Sequence, residues 1–139
     1  MDRALLDTDT LSEILKARDQ NVRSKADAYE SVFGEFTNST ISVVEIVKGL
    51  HKVRRGDRVR RIVAEVGQME LLTLDLDNAQ LAGQIYGELE RSGQPIGRAD
   101  PMIAAIAIQH GLILVTGNTN HYLRIQTLGF ALEIDNWRR

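Results

Sequence analysis

Apolar residues along this chain fall into two rhythms, short unbroken runs and stripes at i, i+3, i+4, and the two alternate. Arg3 to Leu6 is a short apolar run that ends at Asp7 and predicts a first strand. A short helix over Leu11 to Ala17 follows. A longer, more polar helix over Asn21 to Phe36 is placed to form a hairpin with it. Ser39 to Ser42 carries β-branched residues and predicts a second strand. Val43, Ile46, Val47 and Leu50 repeat at helical spacing, so a helix runs to about Arg54, where Gly56 and Asp57 interrupt it. Asp57 is suited to cap the next helix, whose stripe is Val59, Ile62, Val63, Val66 and Met69. Leu71 to Leu74 predicts a strand, and Asp77 to Arg91 a helix with Leu81, Ile85 and Leu89 on one face. Ser92 to Gly97, with two glycines and a proline, predicts a loop. Asp100 to His110 is apolar nearly all round and predicts a buried helix closed by Gly111. Leu112 to Val115 has the continuous apolar character of a buried parallel strand, and Phe130 to Ile134 reads as a final edge strand. Strands alternating with helices imply right-handed crossovers and a mainly parallel sheet covered on both faces, an α/β fold in three layers.

Composition narrows this picture. With 139 residues the chain fits one domain, 1–139, and buries roughly two thirds of its unfolded surface without a covalent staple. No internal repeat, low-complexity segment or linker interrupts it. There is no Cys, which excludes disulfides and thiolate zinc sites and fits a reducing compartment. The apolar run Met102 to Ile108 is far shorter than a membrane span, and MDRALLDTDT lacks the apolar core of a signal peptide, so a cytoplasmic protein is expected. The net charge of −2 counts against strong non-specific nucleic-acid binding by the molecule as a whole.

The candidate chemistry lies in acids placed beside predicted strand ends. Asp7 follows the first strand, Glu45 the second. Asp100 opens the buried helix, and Asn118 follows the Leu112 strand in TGNTNHY. In an open parallel sheet, residues beyond the carboxyl ends of strands converge on one crevice. Carboxylates gathered there repel one another unless a cation lies between them, and oxygen ligands suit Mg²⁺ or Mn²⁺. Helix capping competes with this reading. Asp9 with Ser12 and Thr10 with Glu13 look like helix-start chemistry, Ser42 and Glu45 form a capping box, and Asp100-Pro101 is a cap followed by proline. Taken one at a time, each acid suits a cap better than a ligand, and Asn118 suits a turn.

Three segments resemble a known family. LLDTDTLSEIL resembles the opening motif of VapC-like PIN domains, and TISVVEIVKGL resembles their second motif. GQPIGRADPMIAAIAIQHGLILVTGNTNHYLRI resembles the third motif and the T-x-N-x-x-D/E-F stretch after it. The closing EIDNW is similar to the end of many members. The resemblance implies a PIN-like three-layer fold and a metal-dependent endoribonuclease using Mg²⁺ or Mn²⁺. It also implies a small VapB-like antitoxin as partner, and a homodimer or a larger toxin–antitoxin assembly. It carries catalytic acids over to Asp7, Glu45 and Asp100, with Asp7 and Asp100 as metal ligands. Two positions depart from the pattern: Asp9 stands where Asn is frequent, and His121 replaces the acid near the end of the T-x-N block. Imidazole is a poor Mg²⁺ ligand, so Asn118 is the alternative through its amide oxygen or a water, and His121 is also placed to contact an RNA phosphate. Arg54, Arg55, Arg58, Arg60 and Arg61, with Lys48 and Lys52 nearby, suit an RNA backbone and equally suit a solvated helix face. Tyr29, Phe33 and Phe36, at near-helical spacing, suit a core or a dimer interface better than base stacking.

Two other functions fit parts of the sequence. Asp7-Thr8-Asp9 resembles the D-x-D of haloacid-dehalogenase-like phosphatases, with Asp7 as nucleophile and Asp9 as acid/base. Leu11 and the short chain fit that family poorly, and no clear lysine motif accompanies the pair. A non-catalytic interaction module would fold without binding metal.

Overall fold

The computed structural model describes residues 1–139. The elements in chain order are β1 (Ala4–Leu6), α1 (Thr8–Lys16), α2 (Gln20–Phe33), β2 (Thr37–Ser39) and α3 (Thr40–Lys52). A 3₁₀ turn (Gly56–Arg58) leads to α4 (Val59–Val66), β3 (Glu70–Leu72), α5 (Leu76–Arg91), α6 (Ala99–Gln109), β4 (Ile113–Val115), α7 (Thr119–Thr127) and β5 (Ile134–Asp135). All strand pairs are parallel, in the order β3-β2-β1-β4-β5. The strand order turns back at β1, which pairs with β2 on one side and β4 on the other. The crevice beyond the carboxyl ends of β1 and β4 is therefore the switch point where such sheets bind ligands.

Alternation along the strands builds two cores. Leu5 and Leu114 face α5, α6 and α7, packing with Ile85, Leu89, Ile103, Tyr122 and Ile125. Ala4, Leu6 and Val115 face the other way, onto Leu11, Val22, Tyr29, Val66 and Trp137. This is the three-layer α/β fold that the sequence predicts. Helix α6 is buried nearly all round, as its apolar pattern requires: Ile103, Ala104, Ala105, Ile106 and Ala107 are all in the core. Tyr29 and Phe36 are also buried, 5.9 Å apart and stacked, so these aromatics serve packing. No helix is long and apolar enough to cross a membrane.

Several boundaries differ from expectation. Helix α1 starts at Thr8 because Asp7 accepts the Thr8 N–H, and α2 ends at Phe33 because Gly34 takes a left-handed conformation (φ 83°). The second strand is Thr37–Ser39, ahead of the predicted Ser39 to Ser42, and Ser39 caps α3 by accepting the Ser42 N–H. The predicted Ser42–Glu45 capping box does not form, since Ser42 is already inside the helix. Asp57 caps nothing. It pairs with Arg55 at 3.1 Å, and α4 has no side-chain cap. Asp100 is not a cap either, since α6 begins at Ala99 and Arg98 occupies the cap position. Segment 119–127, which carries no predicted element, forms α7. The last strand is Ile134–Asp135, one step beyond most of the predicted Phe130 to Ile134.

Candidate active site

Asp7 sits where β1 becomes α1. Its N–H continues the sheet ladder to Val115 O at 2.9 Å. Its carboxylate accepts from Thr8 N–H at 2.9 Å and from the Thr116 hydroxyl at 2.8 Å. Only 4% of the residue is exposed. Burial is the main reason its carboxyl is pushed up to about 7, and the negative charge of Asp9 adds to it, with Asp100 contributing less. The hydrogen bonds from Thr116 and Thr8 pull in the opposite direction.

Asp100 approaches from the first turn of α6, where the buried face of that helix fixes its position. Its Oδ1 accepts from the Tyr122 hydroxyl at 3.2 Å, and its Oδ2 lies 2.9 Å from His121 Nδ1. The same Nδ1 is 2.9 Å from Asn118 Nδ2. The Tyr122 phenol is fully buried between Asp100 and Asp7. Burial first, and then the two negative charges, hold its pKa well above the ordinary phenol value, so it keeps its proton and acts as a donor. Tyr122 is a site residue that sequence reasoning missed. The available signal was its place beside His121 in the T-x-N block.

Glu45 joins indirectly. Its Oε1 is 2.5 Å from the Thr8 hydroxyl, which also lies 2.9 Å from Ser42 Oγ. A carboxylate only accepts, so the Thr8 proton points to Glu45 and Ser42 supplies the other hydrogen bond. The three acids therefore do not form one cluster. Asp7 and Asp100 share Tyr122, while Glu45 is held one residue along, through Thr8.

Asp9 is the second residue that sequence reasoning underrated. Its Oδ1 accepts from Thr10 N–H at 2.8 Å and its Oδ2 from Gly117 N–H at 2.8 Å, tying the start of α1 to the end of β4. A Cβ at position 117 would lie 2.7 Å from Asp9 Oδ2 and 2.9 Å from Arg138 Nε, so any larger residue must push these side chains aside. Asp9 is thus held on both oxygens by backbone N–H groups, as a residue that joins two segments of the chain.

A groove of about 810 Å³ opens between α1, α3 and α4, with Thr8 and Glu45 in its lining. Lys16, Arg18, Arg55, Arg58 and Arg61 supply its cations. Of the expected cluster, Arg55, Arg58 and Arg61 line this groove, while Arg54 and Arg60 do not. Arg55 is committed to Asp57 and Arg61 to Glu65, which leaves Arg58 as the one of these three arginines without an ion-pair partner. His121 is on α7, beside Asp100 and outside that lining.

No three His, Asp or Glu side chains stand close enough to hold an ion as they are placed. The chemistry of the donors nevertheless fits a divalent cation. Asp7 is a buried carboxylate whose neighbours Asp9 and Asp100 carry the same charge, and no cation is among the groups acting on it. Hard oxygen donors in that situation suit Mg²⁺ or Mn²⁺.

Comparison with known proteins agrees with this geometry. The PIN domain family model matches residues 4–126. The tRNA(fMet)-specific endonuclease VapC of Shigella flexneri is 31% identical over 134 residues, covering 96% of each chain. Ribonuclease VapC2 of Haemophilus influenzae is 29% identical over 134 residues. Among solved structures, DNA-bound VapBC from Salmonella typhimurium superposes with a TM-score of 0.80 at 30% identity, covering 99% of each chain. The chain belongs to the PIN-domain family, among its VapC members.

Proposed function

We propose that this protein is a metal-dependent endoribonuclease and the toxin of a toxin–antitoxin pair, acting as a single domain in the cytoplasm. The observation that carries the proposal is the buried carboxylate of Asp7 at the switch point of the sheet, with Asp9 and Asp100 adding like charge and no cation among the groups acting on it, and with the Tyr122 hydroxyl donating to Asp100 beside it. Relatives named as VapC ribonucleases support the activity, and the Salmonella VapBC complex supports a small VapB-like antitoxin as partner. A homodimer rests on the family resemblance.

Asp7 and Asp100 would hold Mg²⁺ or Mn²⁺, with Glu45 nearby through Thr8. A divalent ion there supplies a more acidic water and positive charge opposite the phosphodiester. The residues of the chain do the rest. Thr116 and Thr8 fix the Asp7 oxygens, and Tyr122 keeps a proton between the two acids. Arg55 and Arg58 line a groove that reaches Glu45 and can follow an RNA backbone. An inhibitor suits this site if it places an arginine against the carboxylates, where a charge-assisted pair substitutes for the cation.

The test is incubation with total cellular RNA and Mg²⁺ or Mn²⁺, followed by mapping of the new ends. Discrete ends that disappear with Asp7→Asn are expected. Intact RNA in the presence of folded, metal-loaded protein would overturn the proposal.

A further inference from the structure

We propose that Arg138 is a positioning residue for RNA cleavage: by neutralising Asp9, Glu13 and Asp19 at once, it keeps the first turn of α1, and with it Asp7 and Thr8, in register with the end of β4. The proposal rests on the ribonuclease reading above and adds to it a residue that touches neither RNA nor cation.

The fold delivers Arg138 to the edge of the acidic crevice. Strand β5 runs parallel to β4, with Val115 beside Asp135 and Thr116 N–H donating to Asp135 O at 2.9 Å. The chain beyond β5 therefore leaves the sheet at the edge where Thr116 and Gly117 stand. Buried Trp137 anchors it, with its ring 5.6 Å from that of Tyr29. Asn21, in the first turn of α2, holds the next residue by donating to Arg138 O at 2.9 Å. From there the guanidinium reaches back over Gly117. Its Nε and Asp9 Oδ2 lie 2.9 Å and 2.7 Å from the place where a Gly117 Cβ would stand. Its Nη1 is 3.6 Å from Glu13 Oε1 and 3.8 Å from Asp19 Oδ2. One side chain thus meets the first turn of α1, its second turn and the cap of α2.

Both ion-pair distances exceed hydrogen-bond length, so Arg138 acts on these acids through its charge. Without it, three carboxylates face the vacated space, and Glu13 keeps only Arg18, at 3.8 Å and largely exposed. Asp9 links this repulsion to the chemistry. Its bond to Gly117 N–H ties α1 to β4 beside the bond from Thr116 to Asp7. Whatever moves Asp9 moves the turn that carries Asp7 and the Thr8 hydroxyl held on Glu45. Such a shift costs little stability, because the Arg138 side chain is 42% exposed and pairs of that kind contribute little. It costs much in rate, because catalytic groups tolerate a displacement of only about half an ångström.

The experiment uses the whole chain with Mn²⁺ and a short RNA spanning one of the mapped cuts. Arg138→Gln, which keeps most of the side-chain stem, should lower kcat by about tenfold or more, with KM unchanged and the melting temperature nearly so. Arg138→Lys restores the charge and should recover most of that rate. Asp9→Asn removes a charge that Arg138 balances, so adding it to Arg138→Gln should raise kcat by about threefold or more. Circular dichroism checks the fold, and Arg138→Met serves if the glutamine variant unfolds. A lower melting temperature with kcat intact below it would leave Arg138 as a structural tie and overturn the proposal. A raised KM with a flatter salt dependence would make it an RNA contact, and would overturn the proposal as well. So would additive effects of the two substitutions, or a lysine variant as slow as the glutamine one. Intact RNA with the wild-type chain would overturn the ribonuclease reading itself, and this assignment with it.

Discussion

The acidic crevice and the arginine-lined groove adjoin each other but are built on opposite terms. Asp7 is buried at a strand end, with both carboxylate oxygens hydrogen-bonded and its neighbours in the core. Arg55, Arg58 and Arg61 are exposed on the far side of Glu45, and two of them are taken up by neighbouring acids of their own segment. Burial makes the crevice rigid and electrostatically costly, since a desolvated carboxylate loses more than a hydrated one when like charges approach. The groove loses little by being exposed, because its charges stay hydrated and screened. A catalytic acid therefore depends on its geometry, while a backbone-guiding arginine depends on the total charge around it.

The largest effects belong to the crevice. Asp100→Asn should lower RNA cleavage by about a hundredfold or more, measured as initial rates at saturating Mn²⁺, because a direct ligand matters at least as much as the residues behind it. Its melting temperature should change little, since Asp100 is not a cap and Asn still accepts from Tyr122. Near wild-type cleavage by this variant would put Asp100 on the same footing as the groove arginines and end the contrast.

The next effect concerns stability against pH in metal-free protein. The folded-state value of Asp7, about 7, lies above its unfolded value of 3.8. The stability associated with its protonated form is complete below about pH 4 and is lost as pH rises to about 7, an amount on the order of 4 kcal/mol. Asp7→Asn should remove that slope from denaturant titrations at about pH 4 to 8. The variant should be inactive yet more stable than wild type at the alkaline end of that range. A wild-type curve flat throughout would place Asp7 among the ordinary exposed acids.

Gly117→Ala probes the join between α1 and β4. The added Cβ must displace both Asp9 and Arg138, at about 1–3 kcal/mol by thermal denaturation. Glu45→Gln should reduce cleavage by about tenfold, roughly 1.4 kcal/mol, because Glu45 acts through Thr8 and a glutamine oxygen still accepts that hydroxyl. The smallest effect is Arg58→Gln. RNA binding should weaken slightly, and its dependence on salt should flatten by about one phosphate contact. A cleavage defect at constant binding would instead move Arg58 into the crevice.

Much of this contrast was legible in the residues. The alternating rhythms predict the α/β layers, the apolar Asp100 to His110 segment predicts the buried helix, and Asp7 after a short apolar run predicts an acid at a strand end. Cap assignments were less legible, since Ser, Asp and Asn suit several neighbouring positions. Ser39, not Ser42, takes the cap because the strand ahead of it ends there. Helix α7 left little trace in the pattern: of its apolar residues only Tyr122 and Ile125 are buried, Leu123 between them is exposed, and the rest of the helix is polar.

Sequence alone determined the class of fold and the supply of acids, because both follow from periodicities of a few residues, where local sterics and burial act directly. Only the tertiary structure decided which acids meet. Asp7 reaches Thr116 across 109 positions and Asp9 reaches Gly117 across 108. Tyr122 meets Asp7 and Asp100 because β1, α6 and α7 converge at one edge of the sheet. The rise of the Asp7 carboxyl to about 7 likewise belongs to the assembled crevice, since desolvation and the charges of Asp9 and Asp100 act through space and not along the chain.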